Sequence, residues 1–489
     1  MMVDICYNSA RRPFGQGAPL DALAPANTGD VRAFHRTFRE YAPTPLHDLP
    51  HLAGEFGLGR ILIKDESRRF GLNAFKVLGA SYAIGRYLAE KLGRPLSSLD
   101  PDRLRDPVLR EKLGDITFAT TTDGNHGRGV AWTARQMGQK AVVYMPRGSA
   151  SSRVENIRAL GAECSVTDLN YDDAVRMTWA RARERGWVMV QDTAWDGYED
   201  IPAWIMQGYT TLAAEALEQM RTAGTQAPTH VFLQAGVGSF AGAVLGCLAA
   251  ELGPDMPVFV IVEPHRANCI YRSVLAADGR PHSVAGDLDT LMAGLACGEP
   301  NTISWPLLRD YAAACVSCPD CVAADGMRIL AAPRGGDVPV LSGESGAVGM
   351  GLIAAIMETD EYKELREAIG LDRTQVETSV SYLDHNLLYL DNKTPDDHIY
   401  LQSAAKKFGV YVSRPGNGIC HTVHVSRFGV PGKVSMGGDS HTPHGGAIGM
   451  LCIGVGGMDV ATAMTGVPMR LTMPRVVRVN LTGKLRPCC

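Results

Sequence analysis

The sequence predicts an α/β fold built on parallel β-sheets, in a chain long enough to form more than one domain. From about residue 60, short apolar segments alternate with helical ones, and they lack the polar alternation of strands that face solvent on one side. Three polar or glycine-rich segments each follow such a predicted strand, where parallel sheets bind ligands. At 489 residues, the chain exceeds the usual size of a single domain.

The predicted elements alternate through the first half of the chain. The predicted strands span 61–64, 117–121, 141–145, 188–190, 231–233 and 258–262. The predicted helices span 75–92, 126–137 and 152–160. Strands this short and apolar suit a sheet that helices cover on both faces, because neither face then needs polar side chains.

Composition and charge exclude several classes of protein. The formal net charge of -4 gives no basic surface for nucleic acid, and 45% hydrophobic residues indicate a folded chain. The first residues show no basic segment followed by an apolar run, so we expect no secretory signal, reduced thiols and a cytoplasmic location. The apolar segment 446–467 contains Asp459 and many glycines, so we expect an interior segment and no contact with a membrane.

The first two chemical motifs are an amine at a helix start and a polar turn. Lys76 lies between Phe75 and Val77, in apolar company that a solvated surface lysine rarely has. The positive end of the helix dipole favours its free amine, which suits nucleophilic chemistry. The turn 121–127 contains Asp123, Asn125 and an imidazole after a predicted strand. A capping aspartate is the alternative interpretation of Asp123.

The third motif is the loop Gly236-Val237-Gly238-Ser239, between a predicted strand and a helix. Its backbone N–H groups and the Ser239 hydroxyl are placed to bind a phosphate. The glycine spacing does not match the dinucleotide fingerprint. An amine, a polar turn and a phosphate loop together predict pyridoxal 5'-phosphate, with Asn125 offering an amide to the phenolic oxygen of the cofactor.

On these motifs, residues 30–373 resemble diaminopropionate ammonia-lyase, a fold-type II pyridoxal-phosphate enzyme similar to tryptophan synthase β. The matching segments are 75–79, 120–127, Gln191-Asp192-Thr193, 235–239, 262–264 and 342–347. The resemblance implies two parallel-sheet subdomains within 1–373, the smaller covering about 80–200. It also implies that Lys76 forms the Schiff base, that Asn125 faces the ring oxygen, that Gly236 to Ser239 hold the phosphate, and that the enzyme is a homodimer.

Asp123 separates this family from its relatives, because threonine dehydratases carry a serine-type residue at that position. A carboxylate there takes the α-proton from the face opposite Lys76, or pairs with a second ammonium on the substrate. The resemblance therefore implies α,β-elimination of 2,3-diaminopropionate, an amino-acid substrate, to pyruvate and ammonia. Asp192 is a second acid candidate that orients the substrate or protonates the leaving group. A serine or threonine dehydratase is the alternative on the same scaffold.

The resemblance to the lyases stops near Thr374, before the strand that should bring a hydroxyl or thiol to the pyridine nitrogen. Ser342 and Ser345 are possible substitutes at positions that do not match. Residues 380–485, within a second domain predicted at 374–489, resemble an early segment of the aconitase-family hydro-lyases. The matching segments are Asp384-His385, 391–393, 414–421 and 438–442.

In the aconitase family these polar residues surround an iron–sulfur cluster, but the cysteines of that cluster come later in the chain of the family. A metal site from His385, His421 and His441 is conceivable. We instead expect a partial α/β segment with no metal and no activity of its own. A catalytically impaired fusion is thus the competing interpretation of the whole chain.

The cysteines give two further expectations. Cys315-x-x-Cys318-x-x-Cys321 resembles the beginning of an iron–sulfur ligand run, but the fourth cysteine and the following proline are absent, so ordinary thiols are expected. A disulfide between Cys269 and Cys297 is left open, because spacing alone does not fix the distance between two Cα atoms.

Overall fold

The structure, a computed structural model, describes residues 3–357 apart from 57, 123 and 334, and then 376, 378–385, 393–408, 410–456, 460, 463 and 464. Contacts divide the chain into two compact units, 1–358 and 359–489, here called the N-terminal and C-terminal units. The predicted catalytic residue Asp123 and the predicted junction near Thr374 lie outside the described residues.

The N-terminal unit contains two four-stranded sheets and a strand pair. Its strands are β1 (Asp4–Tyr7), β2 (Leu46–Asp48), β3 (Leu62–Lys64), β4 (Thr117–Thr121), β5 (Lys140–Met145), β6 (Glu163–Val166), β7 (Val188–Met189), β8 (His230–Gln234), β9 (Val258–Pro264) and β10 (Ala312–Cys318). One sheet has the order β6-β5-β4-β7 and is wholly parallel. The other has the order β1-β10-β9-β8, in which only β1 is antiparallel.

Helices surround these sheets and connect their strands. They are α1 (Pro25–His35), α2 (Pro50–Glu55), α3 (Lys76–Leu92), α4 (Pro107–Leu113), α5 (Asn125–Gln136), α6 (Ser151–Arg158), α7 (Tyr171–Arg185), α8 (Asp200–Thr222), α9 (Ser239–Leu252), α10 (Cys269–Ala276), α11 (Trp305–Tyr311), α12 (Asp320–Ala331) and α13 (Glu344–Met357). Local signals fix their ends. The Asn170 side chain caps α7 by accepting from the Asp173 N–H, and Gly186 ends it in the left-handed region.

The predicted fold class is confirmed, and every predicted strand and helix forms within two residues of its predicted bounds. Strands β4, β5 and β9 are buried on both faces, as their unbroken apolar sequences predict. The prediction for residues 61–64 is wrong in one respect. The strand forms, but β3 pairs antiparallel with β2 and joins neither four-stranded sheet.

Helix α3, which begins with Lys76, packs against its neighbours at backbone distance. A Cβ atom on Gly208 of α8 would overlap the carbonyl oxygen of Leu78. A Cβ atom on Gly129 of α5 would lie 2.9 Å from the Cα atom of Val77. No larger residue fits at either glycine without displacing a helix, so these contacts fix the position of the first turn of α3.

A buried ion network joins the loop before α3 to helix α8. Two guanidinium nitrogens of Arg69 donate to the Glu215 carboxylate at 2.7 and 2.9 Å, and both side chains are fully buried. Lys64 Nζ donates to the same carboxylate at 2.9 Å, and the Tyr41 hydroxyl donates to it at 2.8 Å. Glu66 accepts from Arg69 Nε at 2.8 Å. Each charge in this network therefore has a partner.

The described part of the C-terminal unit contains two parallel strand pairs and two helices. The pairs are β11 (Val380–Tyr382) with β12 (Tyr411–Ser413), and β13 (Val434–Gly437) with β14 (Leu451–Gly454). The helices are α14 (Lys393–Phe408) and α15 (Cys420–Phe428). In the part of the chain that the structure describes, no helix is both long enough and apolar enough to cross a membrane.

Candidate active site

Lys76 is the first residue of α3, and its amine points at a buried carboxylate. Nζ lies 2.5 Å from Asp192 Oδ2, and the two side chains are 21% and 4% exposed. An ion pair this close favours the ammonium form of Lys76. The dipole argument from the sequence favoured the free amine, so the contact with Asp192 is the opposing influence that sequence reasoning missed.

Asp192 follows β7 and is held from several sides. Burial by itself would raise the pKa of Asp192, but the charge of Lys76 and the nearby His126 outweigh burial and lower that pKa to about 2. His126 Nδ1 lies 3.9 Å from Asp192 Oδ2, while His126 Nε2 bonds the carbonyl of Val190 at 2.8 Å. The carboxylate is therefore ionised at neutral pH, which suits binding of an ammonium and leaves no proton to donate.

The loop 236–239 also contacts Asp192. The Ser239 hydroxyl, at the start of α9, donates to the main-chain oxygen of Asp192. Asn301 Nδ2 donates to the Ser239 oxygen at 2.5 Å, and the Asn301 N–H donates to the carbonyl of Val237 at 2.7 Å. One residue, Asp192, thus links the amine and the loop, through its side chain and its main chain respectively. Sequence reasoning did not identify Asn301, because its contact lies 62 residues away in the chain.

The loop has the features of an anion site. The backbone N–H groups of Gly236, Val237, Gly238 and Ser239 have no acceptor among the residues that the structure describes. These groups stand at the N-terminal end of α9, where the helix dipole favours negative charge. A phosphate group would supply the acceptors that the loop lacks.

A second orphaned group lies in the same region. The Tyr209 hydroxyl is buried and has no hydrogen-bond partner among the described residues. Burial raises the pKa of Tyr209, with Lys76 lowering it and Asp192 raising it further, so the phenol is neutral. An amine, an N–H loop and a buried neutral hydroxyl are a donor set that fits pyridoxal phosphate. The sequence analysis did not identify Tyr209, because a residue on the apolar face of a helix is expected only to pack in the hydrophobic core.

The structure also describes Asn125, Ser342 and Ser345. Asn125 is the first residue of α5 and is exposed, next to the buried His126. The Ser342 hydroxyl donates to the carbonyl of Gly343 at 3.2 Å. Ser345 has a solvent-shielded hydroxyl oxygen without a partner among the described residues. Neither serine is brought to Lys76 by any described contact.

Most of the cysteines singled out from the sequence are buried. Cys315 and Cys318 are buried in β10, and Cys321 is exposed in α12, so the triplet has the surroundings of ordinary thiols. Burial raises the pKa of Cys318 to about 12, which keeps the thiol protonated. Cys269 and Cys297 are both buried free thiols in the structure.

Replacing Gly238 with alanine is expected to weaken cofactor binding. Gly238 has φ +98°, and a Cβ atom there would lie 2.9 Å from Leu308 Cδ1. Strain of about 1–3 kcal/mol at such a position, which reshapes the loop, predicts roughly tenfold or greater loss of affinity. Titration of the cofactor-free protein with pyridoxal phosphate measures the loss.

Gly224→Ala is the matched control for that titration. Gly224 has φ +65° and open space around its Cα atom, so this variant carries backbone strain away from the loop. It should lose stability and keep its affinity for the cofactor. Equal affinities of the two variants would show that the loop does not bind the phosphate.

One parallel and one mostly parallel sheet, an amine at a helix start and an N–H loop after strand β8 define a pyridoxal-phosphate enzyme of fold type II. The chain belongs to the family described as pyridoxal-phosphate dependent enzyme, which matches residues 37–366, and within it to the diaminopropionate ammonia-lyases. The predicted cofactor, pyridoxal 5'-phosphate, is thereby confirmed.

Relatives and solved structures support this membership. The chain is 56% identical over 368 residues to diaminopropionate ammonia-lyase of Salmonella typhimurium, covering 75% of this chain and 91% of that protein. It resembles a crystal structure of the Escherichia coli enzyme in complex with an aminoacrylate-PLP azomethine reaction intermediate. That match has a TM-score of 0.68 and 50% identity, and covers 76% of this chain and 90% of that one. The structure of maize serine racemase shares the fold, with 20% identity and a TM-score of 0.53. The match covers 69% of this chain and 89% of the racemase chain.

The C-terminal part matches a different family. Residues 357–489 match the aconitase family (aconitate hydratase), so the predicted resemblance to that family is also confirmed. Homocitrate dehydratase of Saccharomyces cerevisiae is 39% identical over 126 residues, which cover 24% of this chain and 16% of that protein. The chain therefore spans a small part of its aconitase-like relatives.

Proposed function

We propose that this chain catalyses the pyridoxal-phosphate-dependent α,β-elimination of 2,3-diaminopropionate to pyruvate and ammonia. The observation that carries the proposal is Asp192, which contacts the Lys76 amine through its carboxylate and the Ser239 hydroxyl through its main-chain oxygen. Asp192 thereby holds the Lys76 amine and the loop 236–239 in fixed positions relative to each other. Identity of 56% to a lyase of that name supports the substrate.

The residues of the site divide cofactor binding and proton transfer between them. Lys76 would hold the cofactor through its amine, and the loop 236–239 would hold the phosphate. The cofactor, when bound, accepts the electron pair that the α-proton leaves behind. Lys76 Nζ takes the α-proton from one face of the substrate, and Asp123 takes it from the other. Asn125 hydrogen-bonds the ring oxygen.

The ionised Asp192 orients an ammonium and does not protonate the leaving group, since a carboxylate with a pKa of about 2 has no proton to give at neutral pH. The second amino group of diaminopropionate leaves as ammonia. The released enamine then hydrolyses to pyruvate and a second ammonia.

The experiment is an assay of 2-oxo-acid release, which measures pyruvate from D- and L-2,3-diaminopropionate and from serine, and 2-oxobutyrate from threonine in parallel. Faster release from diaminopropionate than from serine supports the lyase, and the reverse supports the dehydratase. No release from any substrate, in protein that binds the cofactor, supports the impaired fusion.

Asp123→Asn tests the second base. If Lys76 and Asp123 serve opposite faces, this variant should lose turnover of one enantiomer by roughly 10²-fold or more and keep most turnover of the other. Equal losses for both enantiomers would contradict the division of labour. Absorption of the bound cofactor serves as the control for an intact site.

We propose in addition that the lyase domain extends to about residue 373, and that the enzyme is a cytoplasmic homodimer acting in amino-acid breakdown. All ten cysteines within the described residues are free thiols, which agrees with a reducing compartment. Light scattering of the purified protein should give twice the 52.5 kDa of one chain. A mass of 52.5 kDa would contradict the dimer.

A further inference from the structure

Two cysteines face each other across the strands at one edge of the sheet β1-β10-β9-β8. Strand β1 is the edge strand and pairs antiparallel with β10, and Cys6 lies directly opposite Cys315. The sequence drew attention to Cys315 as the first thiol of Cys315-x-x-Cys318-x-x-Cys321, a motif that has no part in the proposed function. The partner that the fold gives Cys315 is instead a thiol in the first strand of the chain.

The backbone geometry of this pair suits a disulfide. The Asn8 N–H donates to the carbonyl of Ala313 at 2.9 Å, so these residues form a hydrogen-bonded pair of the ladder. Hydrogen-bonded pairs recur at every second position, so Cys6 and Cys315, two residues further along, are also such a pair. The Cα atoms of such a pair are about 5.5 Å apart. Disulfides usually join Cα atoms that are about 4.4–6.8 Å apart, so the strands need not separate or approach.

Both side chains lie on the face of the sheet that helix α10 covers. Asn268, the residue before α10, donates through Nδ2 to the Ser317 hydroxyl oxygen at 2.9 Å. Alternate residues of a strand point to the same face, so Cys315 also faces α10. Cys6 shares that face, because residues directly opposite in an antiparallel pair project to the same side. In agreement, burial and then nearby groups that include Cys6 and Cys315 raise the pKa of Tyr271 in α10.

The two thiols differ in their access to solvent. Cys6 is half-buried on the edge strand, whereas Cys315 is fully buried. Cys6 Sγ lies 3.8 Å from the carbonyl oxygen of Tyr7, and a change of χ1 rotamer would turn it across the ladder. Burial raises the pKa of both thiols, which keeps them protonated and slow to react at neutral pH. An oxidant in solution therefore meets Cys6 first.

We propose that Cys6 and Cys315 form a reversible disulfide when the protein meets hydrogen peroxide. The Cys6 thiolate attacks one peroxide oxygen, the O–O bond breaks, and hydroxide leaves as water with the proton that the thiol lost. Cys6 is then a sulfenic acid. The Cys315 sulfur attacks the Cys6 sulfur, the S–S bond forms and the S–O bond breaks, and hydroxide leaves as water with the Cys315 proton. Two thiols thus lose two electrons, and one peroxide becomes two molecules of water.

The bond would fasten the edge strand to the inside of its sheet. Among the strands that the structure describes, only β10 pairs with β1, so β1 opens more easily than a strand with two neighbours. The disulfide closes a loop that contains most of the N-terminal unit, and a long closed loop restricts the unfolded chain strongly. Oxidation would therefore stabilise β1, and a thiol reductant would reverse the effect by exchange. This proposal does not depend on the lyase activity.

The test treats the reduced full-length holoenzyme with hydrogen peroxide, alkylates the remaining thiols, and maps disulfides by mass spectrometry of unreduced peptides. We expect a linked pair of peptides that joins Cys6 to Cys315, at a peroxide concentration that also oxidises the exposed Cys321. Dithiothreitol should remove the link. Amide hydrogen exchange in β1 should be about tenfold or more slower in the linked protein than in the reduced protein.

Variants assign the order of the two steps. Cys6→Ser should leave Cys315 reduced, because the peroxide does not reach a fully buried thiol. Cys315→Ala should leave Cys6 as a sulfenic acid, which dimedone traps and which the unsubstituted protein does not accumulate. Cys318→Ser is the matched control, since Cys318 is a buried thiol of the same strand whose Sγ contacts the Glu263 carbonyl at 3.5 Å. It should form the link as the unsubstituted protein does.

Either of two results would overturn the proposal. One is the absence of the link between Cys6 and Cys315 in protein whose Cys321 is oxidised. The other is equal labelling of Cys6 by dimedone in the unsubstituted protein and in Cys315→Ala, which would show that Cys315 does not react with the sulfenic acid. The first result comes from the unsubstituted chain, so it stands even where a variant fails to fold.

Discussion

Lys76→Ala is expected to lower the turnover of 2,3-diaminopropionate by about 10³-fold or more, and to remove the visible absorption of a lysine-bound cofactor. Lys76 Nζ is the amine that lies 2.5 Å from the Asp192 carboxylate. Its removal takes away both the covalent attachment and the base for one substrate face. Pyruvate release and the absorption spectrum measure the two effects separately.

Lys140→Ala is the matched control for that experiment. Lys140 begins β5 in the same unit, is 66% exposed and pairs with the exposed Asp115. An exposed pair contributes little to stability, so this variant should keep its spectrum and its turnover. Retention of the absorption band in Lys76→Ala would show that another amine holds the cofactor and would refute the assignment.

Glu215→Gln is expected to have the largest effect on stability, lowering the free energy of unfolding of the N-terminal unit by about 3–5 kcal/mol. The change keeps the side-chain volume but leaves the buried Arg69 and Lys64 facing a neutral group. All six tryptophans lie between residues 132 and 305. Tryptophan fluorescence during urea unfolding therefore reports on this unit alone.

Glu218→Gln is the control, one turn further along α8. Glu218 is 55% exposed and pairs with Arg32, so its loss should cost less than about 1 kcal/mol. Similar losses in the two variants would contradict a special role for the buried network.

The same carboxylate predicts a pH dependence. Burial by itself would raise the pKa of Glu215, but Arg69 and Lys64 outweigh it and lower that pKa to about 2, from 4.5 in an unfolded chain. A depressed carboxyl pKa stabilises the fold fully above pH 4.5, and this contribution is lost as the pH falls from 4.5 to 2. The acid limb of the stability curve should be shallower in Glu215→Gln. An unchanged limb would show that other groups dominate it.

The sequence predicted those elements whose signals are local. Strand β4 formed with the predicted bounds, because a central parallel strand must be apolar on both faces. Strand β10 was missed, because its alanines, serine and cysteines have no strand preference of their own and pair only through β9 and β1. That strand forms because it pairs with strands that are distant in the sequence.

The residues of the site divide in the same way, into those with a local signal in the sequence and those without one. Lys76 and the loop 236–239 were predicted from residue types near strands and helix starts, and Asp192 only from the resemblance to the lyases. The contacts among them were not, nor were Asn301 and Tyr209, because they join residues far apart in the chain. Arg69 and Glu215 are separated by 146 residues, and nothing in either neighbourhood marks them as partners.

The glycine contacts that mount α3 have a consequence for engineering. A side chain at Gly208 or Gly129 would meet backbone atoms of α3, which cannot move aside as the end of a flexible side chain can. A library that varies these glycines would therefore displace the amine together with its helix. Directed evolution toward other amino acids would therefore do best to hold both glycines constant, so that the nucleophile stays in place.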